Sequence, residues 1–536
     1  MSMKRCMKEN IIAVMFFTVF FLAVLFGAKV YFSGFHLTDD FKTLNIISGF
    51  REQPFFKEMA KQISENTSRR FNPLNSVQYV VRAKLFGDNF SLWFLSQIFI
   101  FVPTCFFLYG FARKIGATFW QSVFFPFFTL LGQQMLTWWM LCTAEPIAMF
   151  FVSLAMYLMA KASQREGDIL SVTGFVVSIA LSTLCKESFI LFIPAAVVMW
   201  WALLCYGKMK PDMANIFFKA LLPSVTLLIV MLFDLWVILY VVKTTTEGYN
   251  GIDGQMPLIG LLKDPHMFLM RLKVDIWVLL DMYTFGVILF GIFLIMNALS
   301  EKKDEFLRII RKMSLFGFVF AMIFIPQVIL YDKSGMQTRY WLPAFLAFSI
   351  AAVYLLKTIS KSKEISFFGK RVFLVLIIIA FIPRVEHAVS RAKDFASEGL
   401  ATRDLFRAVL SGDIHDPKIL VVGDPIVNYE WSVALVKYFS FYGDVKKISF
   451  FEVGTDRGAE LRPDFVEMVS KSFREVFGNN TVKTVNKGDY DFIIIMPNAE
   501  SGFAPVARNA DIFAQYKRSG YFWGRGEFVL YSRTVK

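Results

Sequence analysis

The chain has 536 residues, 56% of them hydrophobic and 62 of them phenylalanine, with a mean hydropathy of +0.51. That much apolar surface excludes a soluble globular protein and points to a polytopic α-helical membrane protein. The net charge of +14 arises from basic loops on one side of the membrane and a basic first outer loop. With no aromatic-basic platform, zinc spacing or helix-turn-helix pattern, it indicates no nucleic-acid partner.

A helix needs about 20 apolar residues to cross the hydrocarbon core, which predicts about eleven spans. They fall near 11–32, 91–111, 118–136, 143–160, 169–185, 188–206, 216–242, 272–297, 313–331, 339–357 and 371–387. Lys4, Arg5 and Lys8 precede the first span. Alternate loops carry Arg113 and Lys114, Lys161 and Arg165, Lys208 and Lys210, then the basic runs 302–312 and 357–371. The positive-inside rule places the N-terminus in the cytoplasm, and an odd number of spans places the C-terminus outside. The expected location is the cytoplasmic (inner) membrane. The first apolar run is long for a signal peptide and has no small-x-small cleavage site before Asp39, so it reads as a retained anchor. Cys6, Cys105, Cys142, Cys185 and Cys205 all lie before residue 391. They imply no disulfide framework and read as small buried hydrophobes.

Residues 33–90 form a long first outer loop. Apolar residues at helical spacing predict amphipathic helices over Gln53–Glu65 and Leu74–Phe86, lying on the outer membrane face. No internal repeat is evident in the bundle that follows. Residues 391–536 change character to a soluble outer α/β domain. Strands are predicted at Lys418–Asp424, Lys447–Val453, Asp491–Pro497 and Phe528–Ser532, and helices at Val433–Phe441 and Pro463–Phe477. Gly423-Asp424, at the end of the first strand, is either a ligand contact or a structural turn, and the latter is favoured.

Asp39 and Asp40 sit directly outside the first span, where paired carboxylates are costly to bring near hydrocarbon. The other out-of-place ionisable residues also fall at outer span ends: Glu145 beside Pro146, Lys186-Glu187 between two apolar runs, and Arg339 before the tenth span. Each alone is a solvated helix cap. Together with Arg69-Arg70 they are expected to share one cavity. A carboxylate can take a proton from an acceptor hydroxyl. Arg and Lys can hold a phosphate and steady it as it leaves.

On these residues the chain resembles the GT-C superfamily of membrane glycosyltransferases, within it the protein mannosyltransferase and aminoarabinose transferase branch. Asp39-Asp40 matches the family's acidic pair. Arg70-Phe71-Asn72-Pro73-Leu74 is similar to its Arg-Phe-x-Pro-Leu run, Lys186-Glu187 to its Lys-Glu step, and Arg339-Tyr340 with Pro343 to its Arg-Tyr-x-x-Pro motif. The resemblance covers residues 1–390 and leaves the C-terminal region unexplained. It implies a polyprenyl-phosphate sugar donor, hexosyl or pentosyl, and inversion at the anomeric carbon. One Asp is the implied base: Asp40 is favoured, with Asp39 orienting it or the acceptor, and the sequence does not decide between them. Lys186 and Arg339 are the implied donor-phosphate contacts, with Arg70 and Tyr340 beside them. Glu145 and Glu187 position the sugar or the basic side chains. Adjacent carboxylates can also hold Mg²⁺ or Mn²⁺, which makes Asp39 and Asp40 the metal pair if one is needed. His36 is taken as structural. The acceptor, whether lipid, glycan or protein, is not named by the sequence.

Two other classes compete. A transporter or flippase for a lipid-linked substrate would use the same cavity without a base, and would show mid-membrane charges and interrupted helices. A receptor or scaffold would work through the C-terminal region alone.

Overall fold

Helix α1 (Met3–Gly27) buries one stripe, Ala13, Phe17, Phe21 and Val24, while Met15, Phe16 and Val19 on its other side are exposed. A helix apolar on both sides meets lipid, not water. The computed structural model describes residues 3–37, 40–67, 70–164, 168–206, 213–242, 282–298, 342–363, 365–411, 414–454, 480–486, 488–509, 516–523 and 526–534, with isolated positions between 307 and 325 and at 473 and 477–478.

The first long loop folds into α2 (Phe41–Glu52), α3 (Phe55–Thr67) and α4 (Pro73–Phe86). The last two answer to the predicted helices. Pro73 starts α4, where a missing N–H costs nothing, and Gly87 ends it at φ 53°. The exposed side of α4 carries the apolar Val81 and Leu85. Its polar face, Asn75, Tyr79 and Arg82, is buried, and it packs against α2, α3 and α9 (Ile169–Cys185).

Next along the chain come α5 (Phe90–Ser96), α6 (Ile98–Lys114), α7 (Phe119–Leu130), α8 (Glu145–Ala162), α9, α10 (Ile193–Tyr206), α11 (Met213–Trp236), α12 (Met282–Ala298) and α13 (Leu342–Lys361). A reciprocal cap between Thr118 and Gln121 opens α7. Asp168 caps α9 through the Ser171 N–H. Among the described residues six helical segments are long and apolar enough to cross a membrane, and Phe119–Leu130, Ile169–Cys185 and Val287–Met296 are shorter apolar helices. The protein is a polytopic helical membrane protein with a C-terminal sheet. The expected span 313–331 lies largely outside the described residues.

One span is interrupted where hydropathy predicted continuity, and two others change helix type at one end. The third breaks after α7 at Gly132, whose φ of 119° suits only glycine, and a 3₁₀ turn, Gln133–Trp138, follows. The sixth opens with a 3₁₀ turn, Glu187–Phe192, and α11 ends in a π turn, Val237–Val241.

Two ion and hydrogen-bond contacts gather the basic loops on one face. Arg113 at the end of α6 meets Glu9 of α1 at 2.7 Å, and Lys357 of α13 donates to the Ile115 carbonyl at 2.6 Å. The opposite ends of these helices therefore share the other face.

Helix α14 (Phe367–Leu410) crosses without a break the point where the bundle was expected to end. Its apolar run stops near residue 387, but buried Ala388, Ala392, Phe395, Ala396, Gly399, Thr402 and Phe406 continue at helical spacing. It leads into β1 (Ile419–Gly423), α15 (Tyr429–Gly443), β2 (Ile448–Glu452), β3 (Thr481–Val482), β4 (Phe492–Ile495), α16 (Glu500–Asn509), β5 (Tyr516–Trp523) and β6 (Gly526–Arg533). The sheet order is β3-β2-β1-β4-β6-β5; β1 runs parallel to β2 and β4, and β6 is antiparallel to both its neighbours. Strands β1 and β4 are buried throughout, as their unbroken apolar runs require of strands covered on both faces. Of the helix expected over Pro463–Phe477, only Phe473, Phe477 and their packing on Phe450 are described.

This region packs on the first long loop. Phe35 lies 5.0 Å from Tyr438, ring to ring, Tyr438 stacks on Phe406 at 3.8 Å, and Arg51 sits over Phe441 at 4.6 Å.

Candidate active site

Asp40 occupies the N-cap position of α2 and is 1% exposed. Its carboxylate does not cap the helix. Oδ2 instead accepts the backbone N–H of His36 at 3.0 Å. The acidic residue is thus buried, not displayed on an open loop as its position in a polar segment suggested. One turn on, Thr43 Oγ1 lies 3.4 Å from Cys142 Sγ, which links α2 to the segment before α8. Arg82 of α4 is close enough to Asp40 and Cys142 for their charges to act on it. Burial pushes its guanidinium down to about 10, while Tyr79, Cys142 and Asp40 partly restore it, so it stays cationic at neutral pH. Its Nη2 donates to the Trp93 carbonyl at 2.6 Å, while buried Nε and Nη1 have no partner.

Three residues past Cys142, Glu145 begins α8 and meets Lys186 Nζ at 3.5 Å, both side chains being buried. A carboxylate at a helix start and an ammonium at a helix end each face the favourable pole of the backbone dipole. Lys186 ends α9 because its extended backbone, φ −150° and ψ 120°, turns the chain out of the helix. Glu187 follows, buried, and pairs with half-exposed Arg70 Nη1 at 3.9 Å.

Asp234 was missed. It lies in α11, 2% exposed, with Oδ2 unpartnered and the Thr183 side chain against it. Thr183 is three residues before Lys186. The signal was present: a carboxylate inside the span 216–242 is expensive and calls for a role.

Thr43 and Cys142 thus tie α2 to the segment 142–145 that leads into the Glu145–Lys186 pair, Glu187 next in the chain pairs with Arg70, and Arg82 lies beside Asp40 and Cys142. Asp39, Arg69, Arg339 and Tyr340 lie outside the described residues. Among the described residues no three His, Cys, Asp or Glu side chains converge as metal ligands. The described half of the acidic pair accepts the His36 N–H through Oδ2. At the end of β1, Asp424 accepts the N–H groups of Ile426 and Val427 at 2.8 and 3.0 Å, and Asn428 ties Asp424 to Pro497. These bonds favour the structural reading of Gly423-Asp424.

No family model and no curated protein matches the chain. Among solved structures it is similar to ArnT from Cupriavidus metallidurans bound to undecaprenyl phosphate, at 12% identity over 96% of this chain and 97% of that one, with a TM-score of 0.44. It is also similar to the apo form of the Archaeoglobus fulgidus oligosaccharyltransferase, at 12% identity over 98% of this chain and 74% of that one, with a TM-score of 0.43.

Proposed function

We propose that the protein is an inverting glycosyltransferase that moves a sugar, hexosyl or pentosyl, from a polyprenyl-phosphate donor to an acceptor hydroxyl at the outer face of the cytoplasmic membrane. The observation that carries the reading is Asp40, a buried carboxylate held by a backbone N–H and joined through Thr43 and Cys142 to the Glu145–Lys186 pair. Helix-end caps without a shared role would be solvated and scattered.

Asp40 takes the proton of the acceptor hydroxyl. The oxygen attacks the anomeric carbon opposite the phosphate, and the bond from that carbon to the phosphate oxygen breaks. The electron pair leaves with the polyprenyl phosphate, and the sugar is inverted. Lys186, Arg70 and Arg339 hold that phosphate and stabilise its growing charge, with Tyr340 beside them. Glu145 and Glu187 hold Lys186 and Arg70 in place. Asp39 orients Asp40 or the acceptor.

One observation favours the transport reading: Asp234 within α11, together with the helix break at Gly132. A single experiment separates the two. Purified protein in liposomes is given a panel of radiolabelled polyprenyl-phosphate sugars. Transfer predicts label on a new covalent product, and Asp40→Asn should cut that product by about 10²–10⁴-fold. Label that crosses the bilayer still attached to the polyprenyl phosphate would establish a transporter instead.

A further inference from the structure

The segment from Ser33 to Leu37 has no regular structure, and Gly34 sits at φ 79°. Such a loop has little internal means of fixing a carboxylate. The backbone N–H of His36 donates to the Asp40 carboxylate at 3.0 Å. Where His36 lies therefore helps to set where Asp40 points.

His36 is held from outside the loop. Its ring stacks on Phe395 of α14, with centroids 3.6 Å apart and planes 12° from parallel. Phe94 meets it edge-on at 6.0 Å, and its Nε2 is 3.0 Å from Ser33 Oγ. One turn past Phe395, α14 presents Gly399. A Cβ there would lie 2.5 Å from His36 Nε2, 2.6 Å from Cε1 and 2.8 Å from the Ser33 Cβ, closer than real atoms approach. The slot thus admits the imidazole only while residue 399 lacks a side chain. Two more contacts extend the seam: Arg403 Nη1 donates to the Phe32 carbonyl at 3.2 Å, and Phe35 packs on Phe406 and Tyr438. His36 Nδ1 is buried without a partner, a cost that folding alone gives no reason to keep.

We infer that α14 and the sheet region behind it clamp the loop after α1, with His36, Phe395 and Gly399 as positioning residues that hold Asp40 for proton transfer. The inference rests on the assignment of Asp40 as base. It gives the C-terminal region a role in the reaction that does not depend on recognising the acceptor.

The test uses the full chain with Gly399→Ala and Phe395→Leu, and three readouts: hydrogen exchange at the His36 amide, turnover in the liposome assay, and affinity for undecaprenyl phosphate. The clamp predicts faster exchange and turnover lower by about 10–100-fold, since small misplacements of a reacting group cost that much. Affinity for undecaprenyl phosphate should stay unchanged, because the lipid phosphate is held elsewhere. Unchanged exchange overturns the clamp, and so does faster exchange with full turnover. A loss of lipid affinity equal to the loss of turnover also overturns it, because the damage would then be general. If Gly399→Ala fails to fold, Phe395→Leu carries the same test without adding atoms. If the wild type transfers no sugar, the glycosyltransferase reading fails. The exchange arm then still decides the clamp: faster exchange upholds it and unchanged exchange ends it.

Discussion

Glu145 and Lys186 are each stabilised twice, by the helix end they occupy and by one another. Breaking such a buried pair leaves an uncompensated charge, at a cost of about 3–5 kcal/mol. Glu145→Gln should therefore lower the Tm in detergent clearly. Adding Lys186→Met should recover most of that loss without recovering turnover, and the double-mutant comparison of Tm and rate checks both. His36 gives a second prediction. Burial holds its imidazole at about 3, against an ordinary 6.5. The unfolded chain takes up a proton below 6.5 that the folded protein refuses. Stability should thus fall as pH drops from 6.5 toward 3, by up to about 1.4 kcal/mol per pH unit from this group. His36→Asn should flatten that slope in urea titrations at successive pH values. At this scale the sequence told much. Asp40, Glu145, Lys186 and Glu187 were visible because charges are costly at membrane boundaries, and the structure links them. Arg82 was hidden because an arginine in a polar loop helix looks solvated, and nothing local reveals that α4 turns its polar face inward.

Among the elements, α14 controls the geometry. Its 44 residues make a rod about 66 Å long at 1.5 Å per residue. Each residue in it sets the rotation of everything beyond. Inserting one alanine after Val389 should turn Phe395 and Gly399 by about 100° away from His36. Turnover should then collapse while the bundle still binds undecaprenyl phosphate; preserved turnover would show that the seam is dispensable. Hydropathy located α9 and apolar spacing located α4 closely because each has clean ends: a cap at Asp168, Pro73 and Gly87. It could not see that α14 continues, since an apolar run ends where lipid contact ends, not where hydrogen bonding does. Strand β5 was missed for a related reason. Its sequence, Tyr-Lys-Arg-Ser-Gly-Tyr-Phe-Trp, lacks the apolar run that marks β1 and β4 because it lies at the sheet edge.

Over the whole molecule, the bundle and the sheet region meet through the first long loop. Arg51 on Phe441, Phe35 on Tyr438 and the contact of α2 with α15 make that loop a shared layer. Deleting residues 414–536 would expose this layer and remove Tyr438, the ring between Phe35 and Phe406. The truncated protein should lose transfer to every acceptor, including small soluble ones, as measured with the active donor from the panel. Retained transfer to a small acceptor would confine the region to recognition. The eleven-span plan captured this organisation only in part. Composition dictates how many segments can enter lipid, whereas the contact between distant parts is set by aromatic pairs whose partners lie more than 300 residues apart.

The uninterrupted passage of α14 from lipid into the sheet has a practical corollary. A protein whose reactive loop leans on a rigid strut can be silenced from a distance. An antibody fragment that grips the sheet and tilts it would loosen the loop without ever entering the membrane.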